Sequence, residues 1–222
     1  MSGGGGDGDQ VRERFLRLYT GAVADVLDAH GLRGQVLPAG ILPIRTDMRV
    51  AGPAFPGFGV PTDDPTDNDM DRRLAMLESV RPGSVTVWSC GGHTESAHWG
   101  EIMSRSVMDR GCVGAVLDGG LRDTDFVLRL GFPVWYRFRS PASSIGRWNI
   151  VDWNCEITIG STTIRPGDWV FADADGVVVV PADAVGDVLA ESEARATRED
   201  LMRREIDGGL SVTEAFRRHG AM

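Results

Sequence analysis

Apolar positions along the chain change period repeatedly, and each period predicts an element. Val11, Phe15 and Leu18 recur at helical spacing. Thr20 then reads as the N-cap of a second helix that turns Val23, Val26 and Leu27 inward and stops at Gly31, with His30 as a cation at its C-terminal end. Between residues 36 and 60, proline and glycine surround the apolar islands 41–44 and 49–55, which predicts short strands joined by turns. A helix over 72–80, with Leu74, Leu77 and Met76 or Val80 inward, leads through Arg81-Pro82-Gly83 to a strand over 84–89. The paired glycines of CGGHTE, 90–95, mark a strand end. From Ser96 the spacing predicts a helix whose inward face is Ala97, Ile102, Met103 and Val107. Gly100 inside that helix would cost about 1 kcal/mol relative to alanine, which points to a close approach there.

A strand over 113–117, a helix over 123–130 with Phe126 and Val127 buried, and a strand over 133–138 continue the alternation as βαβ units. Two strand ends, 90–93 and 118–123, then share one edge. After Pro141, short strands at 150–159, 162–164, 169–172 and 177–180, separated by IGST, RPGD and DADG, predict a β meander. Residues 182–204 read as a helix with Val185, Val188 and Leu189 on one face, and Ser211-Val212-Thr213-Glu214 is a capping box opening a last helix. A helix so polar toward its end is either solvated or reaches a neighbouring subunit.

Composition narrows this picture. A chain of 222 residues with 42% hydrophobic content can bury one good core, which gives a single domain over 11–222 with a helical C-terminal extension over about 182–222. Residues 1–10, with four consecutive glycines, read as a disordered arm. A formal charge of -9 and the lack of a basic run exclude nucleic acid and anionic membrane as expected partners. Three cysteines, Cys90, Cys112 and Cys155, read as reduced thiols rather than a disulfide framework or zinc site. With no spanning-length apolar stretch and no signal-like N-terminus, a cytoplasmic location is expected. The phosphate-loop, GxSxG, HExxH and CxxC motifs are absent, which removes the common nucleotide, hydrolase and zinc classes.

Candidate chemistry concentrates in residues 111–125, GCVGAVLDGGLRDTD. The apolar run ends in Asp118 and the Gly119-Gly120 pair, read as a tight turn, and Arg122 and Asp123 follow at the strand's carboxyl end. The residues alone leave two readings open: a helix-start carboxylate beside a solvated arginine, or a forked carboxylate binder next to a hard oxygen ligand for a divalent cation.

The string GAVLDGGLRD, preceded by AHWGEIMSRSVMDRG and followed by GFPVW, resembles the RraA-like family. That family includes the class II 4-hydroxy-4-methyl-2-oxoglutarate/4-carboxy-4-hydroxy-2-oxoadipate aldolases and the regulators of ribonuclease activity. The likeness runs from about Tyr19 to the C-terminal helix. It implies an α/β fold, a swivelling β/β/α domain with a central β-sandwich-like core and flanking helices, assembled as a homotrimer or homohexamer whose interfaces form the site. It also implies a pyruvate-type lyase acting on a small oxo acid, with a divalent metal, Mg2+ or Mn2+, held largely through water. Carried over by position, Asp123 matches the direct metal ligand and Arg122 the residue gripping the keto acid. Glu101 matches an acidic position acting on the metal through water. The amides of Ile102 and Met103, next to Gly100, match those that bind the substrate carboxylate. A glutamate from a neighbouring subunit's C-terminal helix completes the water shell, with Glu199 the best match and Glu193 the next.

That assignment agrees with the chemistry of the residue types. Cleaving a 4-hydroxy-2-oxo acid leaves an enolate, which a Lewis acid and an arginine can both stabilise, and oxaloacetate decarboxylation passes through the same enolate. The competing function is a non-catalytic protein-binding regulator on the same fold, and a third is a lyase of this mechanism acting on an unrelated hydroxy-oxo acid. Elsewhere, His93 at a strand end is read as substrate-facing, and Glu95 with His98 has ExxH spacing without the further carboxylates a metal site needs. The aspartates of PTDDPTDNDMD, 61–71, read as a mobile loop, Asp118, Asp173 and Asp175 as turn carboxylates, and Arg49 as a solvated strand-edge residue.

Overall fold

The computed structural model describes residues 5–67 and 69–220. Its centre is a nine-stranded mixed sheet, nearly closed on itself, with helices on its flanks, the α/β architecture expected. Four parallel strands form the middle: β2 (Val50–Pro61), β3 (Val85–Ser89), β5 (Gly114–Leu121) and β6 (Val134–Arg139). The connections run through α3 (Met70–Ser79), α4 (Glu101–Asp109) and α5 (Thr124–Leu130), as βαβ units require. The two-residue β1 (Leu42–Pro43) edges β6, and a short β4 (Ala97–Trp99) lies parallel to the tail of β5. Antiparallel strands complete the sheet on β2: β7 (Trp148–Trp153) along its second half and the hairpin β10 (Trp169–Ala172) and β11 (Val177–Val180) along its first. A separate hairpin pairs β8 (Ile157–Ile159) with β9 (Thr162–Ile164).

Two apolar cores result. The larger lies around β3, β5 and β6, with Trp88, Leu117 and Trp135 fully buried. The second seals β10 and β11 under α1 (Gly5–Leu16), α2 (Thr20–Ala29) and α6 (Val185–Asp207), where Phe15, Leu27, Phe171 and Leu189 pack. The last helix, α7 (Val212–His219), packs on α6 and starts at the predicted cap, with the Glu214 amide donating to Ser211 Oγ at 3.2 Å.

Several expectations are corrected by long-range partners. Residues 5–10 belong to α1 rather than a disordered arm, and Arg12 fastens that helix by donating to the Ala51 and Gly83 carbonyls at 3.1 and 2.9 Å; residues 1–4 lie outside the described part. Thr20 is the first residue of α2, not its cap, because its amide and hydroxyl both donate to the buried Asp173 carboxylate at 2.8 and 2.7 Å. The segment 36–60 makes mainly one long strand, β2, since it finds partners on both sides. The single strand predicted over 150–159 breaks into β7 and β8 at Asn154, which has φ +53°.

The largest correction concerns residues 96–100. They are not helical: β4 pairs with β5, and the helix begins only at Glu101, leaving Ile102 73% exposed instead of inward. Its counterpart is that Gly119 and Gly120 do not turn, since β5 runs through them to Leu121 with an irregularity after Leu117. A Cβ at Gly119 would lie 2.5 Å from both Cys90 Sγ and His98 Nδ1, so packing demands glycine there. Leu74 and Phe126, expected inward, are exposed, the latter with the Arg129 guanidinium 4.4 Å above its ring. All three cysteines are free. Among the described residues no helix is long and apolar enough to cross a membrane.

Candidate active site

The tail of β5, its neighbour β4 and the starts of α4 and α5 meet at one place. Arg122 is held at the strand end by its amide, which donates to the Trp99 carbonyl at 3.0 Å. Asp123 precedes α5 in the left-handed region, φ +57°, a conformation aspartate tolerates better than most residues. Its carbonyl takes the amides of Phe126 and Val127, while its side chain makes no capping bond to α5. The carboxylate is therefore turned to the neighbouring helix start. Its Oδ2 lies 3.4 Å from Arg122 Nε and 3.4 Å from the Glu101 amide.

Gly100 makes this approach possible. A Cβ there would come within 2.6 Å of Asp123 Oδ2 and 3.2 Å of Arg122 Cγ. The close approach expected at Gly100 exists, at the N-cap of α4 and not inside a helix. Beyond it, the amides of Ile102 and Met103 have no hydrogen-bond partner among the described residues, as the first turn of a helix leaves them. Ser104 closes the turn, donating to the Gly100 carbonyl at 3.0 Å and accepting from Trp99 Nε1 at 2.9 Å.

These groups border one half-open cleft of about 250 Å³. Arg122, Asp123, Gly100, Ile102 and Met103 all line it, so five of the residues singled out from sequence are brought together. Arg122 and Asp123 side chains are 41% and 38% exposed, open to a ligand on this side.

Other predicted site residues fall elsewhere. Glu101 starts α4 but its carboxylate bonds Arg105 at 2.8 Å and does not line the cleft. His93 stands behind the wall, and the histidine lining the cleft is His98, because β4 rather than a helix carries it inward. Glu199 on α6 pairs with Arg195 and Arg203 at 3.1 and 3.0 Å and contacts Tyr19, away from this cleft. Glu193 is held by Arg14 through two bonds of 2.8 Å. Among the lesser candidates, Arg49 donates to the Leu16 and Leu18 carbonyls, Asp118 pairs with Arg137, and Asp173 is filled by Thr20 and the Asp175 amide. Among the described residues no three His, Cys, Asp or Glu side chains converge on a metal-sized site, the 61–71 aspartates included. Asp67 and Asp69 of that loop instead bind Asn149 and the Ile150 amide.

Two lining residues are not read as site residues from sequence: His98 enters only through its ExxH spacing with Glu95, and Arg73 gives no signal. His98 is 3% exposed, its ring edge-on to Trp148 at 4.9 Å. The Gly120 amide donates to its Nδ1 at 2.9 Å, which puts the proton on Nε2, facing His93 Nδ1 at 3.0 Å. Burial above all, then His93 and Arg73, lowers its pKa to about 3, so it stays neutral. Arg73, on α3, is 7% exposed and ion-paired with Asp69 at 2.9 Å, and its Nε is buried without a partner among the described residues. Leu74 and Met70 of the same helix also line the cleft, as do Ser143, Ser144 and Ile145. An amphipathic helix preceding a strand gives no hint that one of its arginines is buried.

Comparison with known proteins adds the following. Residues 20–179 match the RraA-like family profile, Aldolase/RraA. A protein of Halalkalibacterium halodurans named putative 4-hydroxy-4-methyl-2-oxoglutarate aldolase is 29% identical over 203 residues, 91% of either chain. Protein DlpA of Legionella pneumophila is 25% identical over 203 residues, 91% of this chain but only 32% of its own length, so this chain spans about a third of that relative. The crystal structure of Streptomyces coelicolor RraAS2, described as an unusual member of the RNase ES inhibitor RraA protein family, superposes with a TM-score of 0.81 at 27% identity, covering 90% of this chain and 98% of that one.

Proposed function

This chain belongs to the RraA-like family, Aldolase/RraA, and we propose that it is a divalent-metal-dependent lyase cleaving a 4-hydroxy-2-oxo acid to pyruvate, with oxaloacetate decarboxylation as a side activity. One observation carries the reading: the Arg122 guanidinium, the Asp123 carboxylate and the unpartnered amides of Ile102 and Met103 border a single cleft.

The donor set fits a hard, water-rich cation. Asp123 offers a half-exposed carboxylate not consumed by helix capping, and Mg2+ commonly binds through one or two carboxylates while keeping several waters. A cage of three or more protein ligands is not needed for that mode. When bound, the ion would act as a Lewis acid on the 2-oxo group. In this reading Glu101, and Glu199 of a neighbouring copy in a homotrimer or homohexamer, would help hold the ion through water.

The chain's own residues have distinct tasks. The Ile102 and Met103 amides at the α4 N-terminus hold the substrate's C1 carboxylate. Arg122 donates to the ketone oxygen as charge develops there, and loss of such a donor typically costs roughly 3 to 4 kcal/mol in rate. The C3–C4 bond breaks with its electron pair moving to C3, the 4-hydroxyl loses a proton as it becomes a carbonyl, and C3 gains one to give pyruvate. No redox partner is required. His98 is unsuited as the base, since its Nδ1 lone pair is occupied by the Gly120 amide and its Nε2 carries the proton. Proton traffic therefore runs through solvent at the open side, where Arg122 and Asp123 are exposed.

The test is pyruvate release from oxaloacetate and from 4-hydroxy-4-methyl-2-oxoglutarate with Mg2+ or Mn2+, with chelator, and with Asp123→Ala. Activity that disappears with chelator and falls at least about a thousandfold in the variant supports the lyase. A second reading, a non-catalytic regulator, is favoured by exposed Ile102 and Leu74 at the cleft mouth, side chains suited to a protein surface. Absence of turnover with either metal would turn the assignment to it.

A further inference from the structure

We infer that Arg73 is a specificity residue of this cleft, taking the distal carboxylate of a 2-oxo dicarboxylate whose pyruvoyl end is held by Arg122 and the α4 amides; this rests on the lyase reading. Arg73 lines the cleft, is 7% exposed, and leaves its Nε buried without a partner among the described residues. A guanidinium carries five donors, and among the described residues only Nη2 is engaged, by Asp69 at 2.9 and 3.3 Å, which leaves Nη1 free to donate. A nearly buried guanidinium whose Nη1 makes no hydrogen bond among the described residues carries a desolvation penalty that a ligand oxygen at Nη1 would recover.

The group is also immobilised in advance. Asp69 holds it from one side and is itself fixed by the Ile150 amide at 2.6 Å, while the Trp148 ring lies 5.8 Å from the guanidinium carbon. A fixed, planar fork is the geometry that recognises a carboxylate at least entropic cost. The other side-chain donors of that lining offer less: the His98 Nε2 proton already faces His93, and Ser143 and Ser144 carry one uncharged hydroxyl each.

The same cleft is also lined by the apolar side chains of Leu74, Leu77, Met103 and Ile145. Such a surface suits the methylene and methyl carbons of a short chain carrying an anion at each end. Arg73 would thus make this cleft favour substrates of the proposed lyase that carry a carboxylate on C4 over those that lack it.

The test compares two ligands of one carbon skeleton, 2-oxoglutarate and 2-oxopentanoate, by calorimetry on the Mg2+-loaded full chain. The wild type is expected to bind 2-oxoglutarate at least about tenfold more tightly, a typical worth of one charged hydrogen-bonded contact. In Arg73→Gln, and in Asp69→Asn/Arg73→Gln, which keeps the buried pair neutral, that ratio falls below about twofold, and Arg73→Lys restores part of it. A purely structural arginine would weaken both ligands together and leave the ratio unchanged, which overturns the inference, as does a ratio near one in the wild type. Exchange of pyruvate C3 protons with deuterated water, measured on the same wild-type sample, separates the two layers. Exchange with no ligand preference sinks the Arg73 role alone, whereas preference without exchange supports Arg73 and sinks the lyase.

Discussion

Two aspartates just past strand ends, Asp173 after β10 and Asp123 after β5, look alike in sequence and end in opposite states. Asp173, in the sealed layer of β10, β11, α1, α2 and α6, is 4% exposed and receives three donors, from Thr20 N, Thr20 Oγ1 and the Asp175 amide. Asp123, at the cleft, has a 38% exposed side chain and only two contacts of 3.4 Å. The contrast extends to neighbours. Arg14 and Glu193, at the rim of that layer and as exposed as the cleft pair, satisfy each other through two bonds of 2.8 Å, whereas the cleft leaves the Ile102 and Met103 amides and Arg73 Nε without partners among the described residues. A charged group becomes available for chemistry when the fold declines to pair it, and residue type alone does not say which case applies.

Exchanging the two carboxylates for neutral groups gives the sharpest break. Asp123→Asn should lower turnover at least about a thousandfold with almost no change in Tm. Asp173→Ala, by stranding three buried donors, should cost about 3 kcal/mol and lower Tm by about 6 to 12 °C. Thermal melts and initial rates on both variants decide it, and a large Tm loss at Asp123 would erase the distinction. Next in size is Gly100→Ala, which places a methyl 2.6 Å from Asp123 Oδ2. It should reduce turnover about a hundredfold by misplacing the carboxylate, with a small Tm change; unaffected kinetics would show that the Gly100 contact is not part of the site.

The smallest effect tests an intermediate case, since His98 lines the cleft yet is fully partnered like the sealed layer. Its pKa is about 3 in the folded protein against 6.5 ordinarily. The native ring thus refuses a proton that the unfolded chain accepts. Its contribution to stability is whole above pH 6.5 and drains away as pH falls toward 3, at about 1.4 kcal/mol per pH unit. Urea titrations at pH 7, 6, 5 and 4 should show that slope reduced in His98→Gln. Parallel pH dependences would place the imidazole in contact with solvent instead.

Most elements were readable because periodicity is a local property: the runs of β3, β5, β10 and β11, the α2 and α6 faces and the Ser211 cap follow from neighbours in the chain. Errors cluster where a distant partner outbid local preference. Residues 96–100 have a helical apolar spacing, but the β5 tail offered β4 a ladder, and the Gly119-Gly120 pair served packing rather than a turn. Residues 5–10, rich in glycine, became helical where Arg12 found two carbonyls across the fold.

By itself the chain's order of residues determined the α/β class, the family, and the segment GLRD with the α4 start as the place to look. Only the tertiary structure decided that Gly100 and Asp123 touch, that His98 rather than His93 lines the wall, and that Arg73 is buried there with a donor to spare. The reason is physical: propensity and period act over a few neighbouring residues, whereas burial and pairing of a charge are set by groups brought together from tens of positions away.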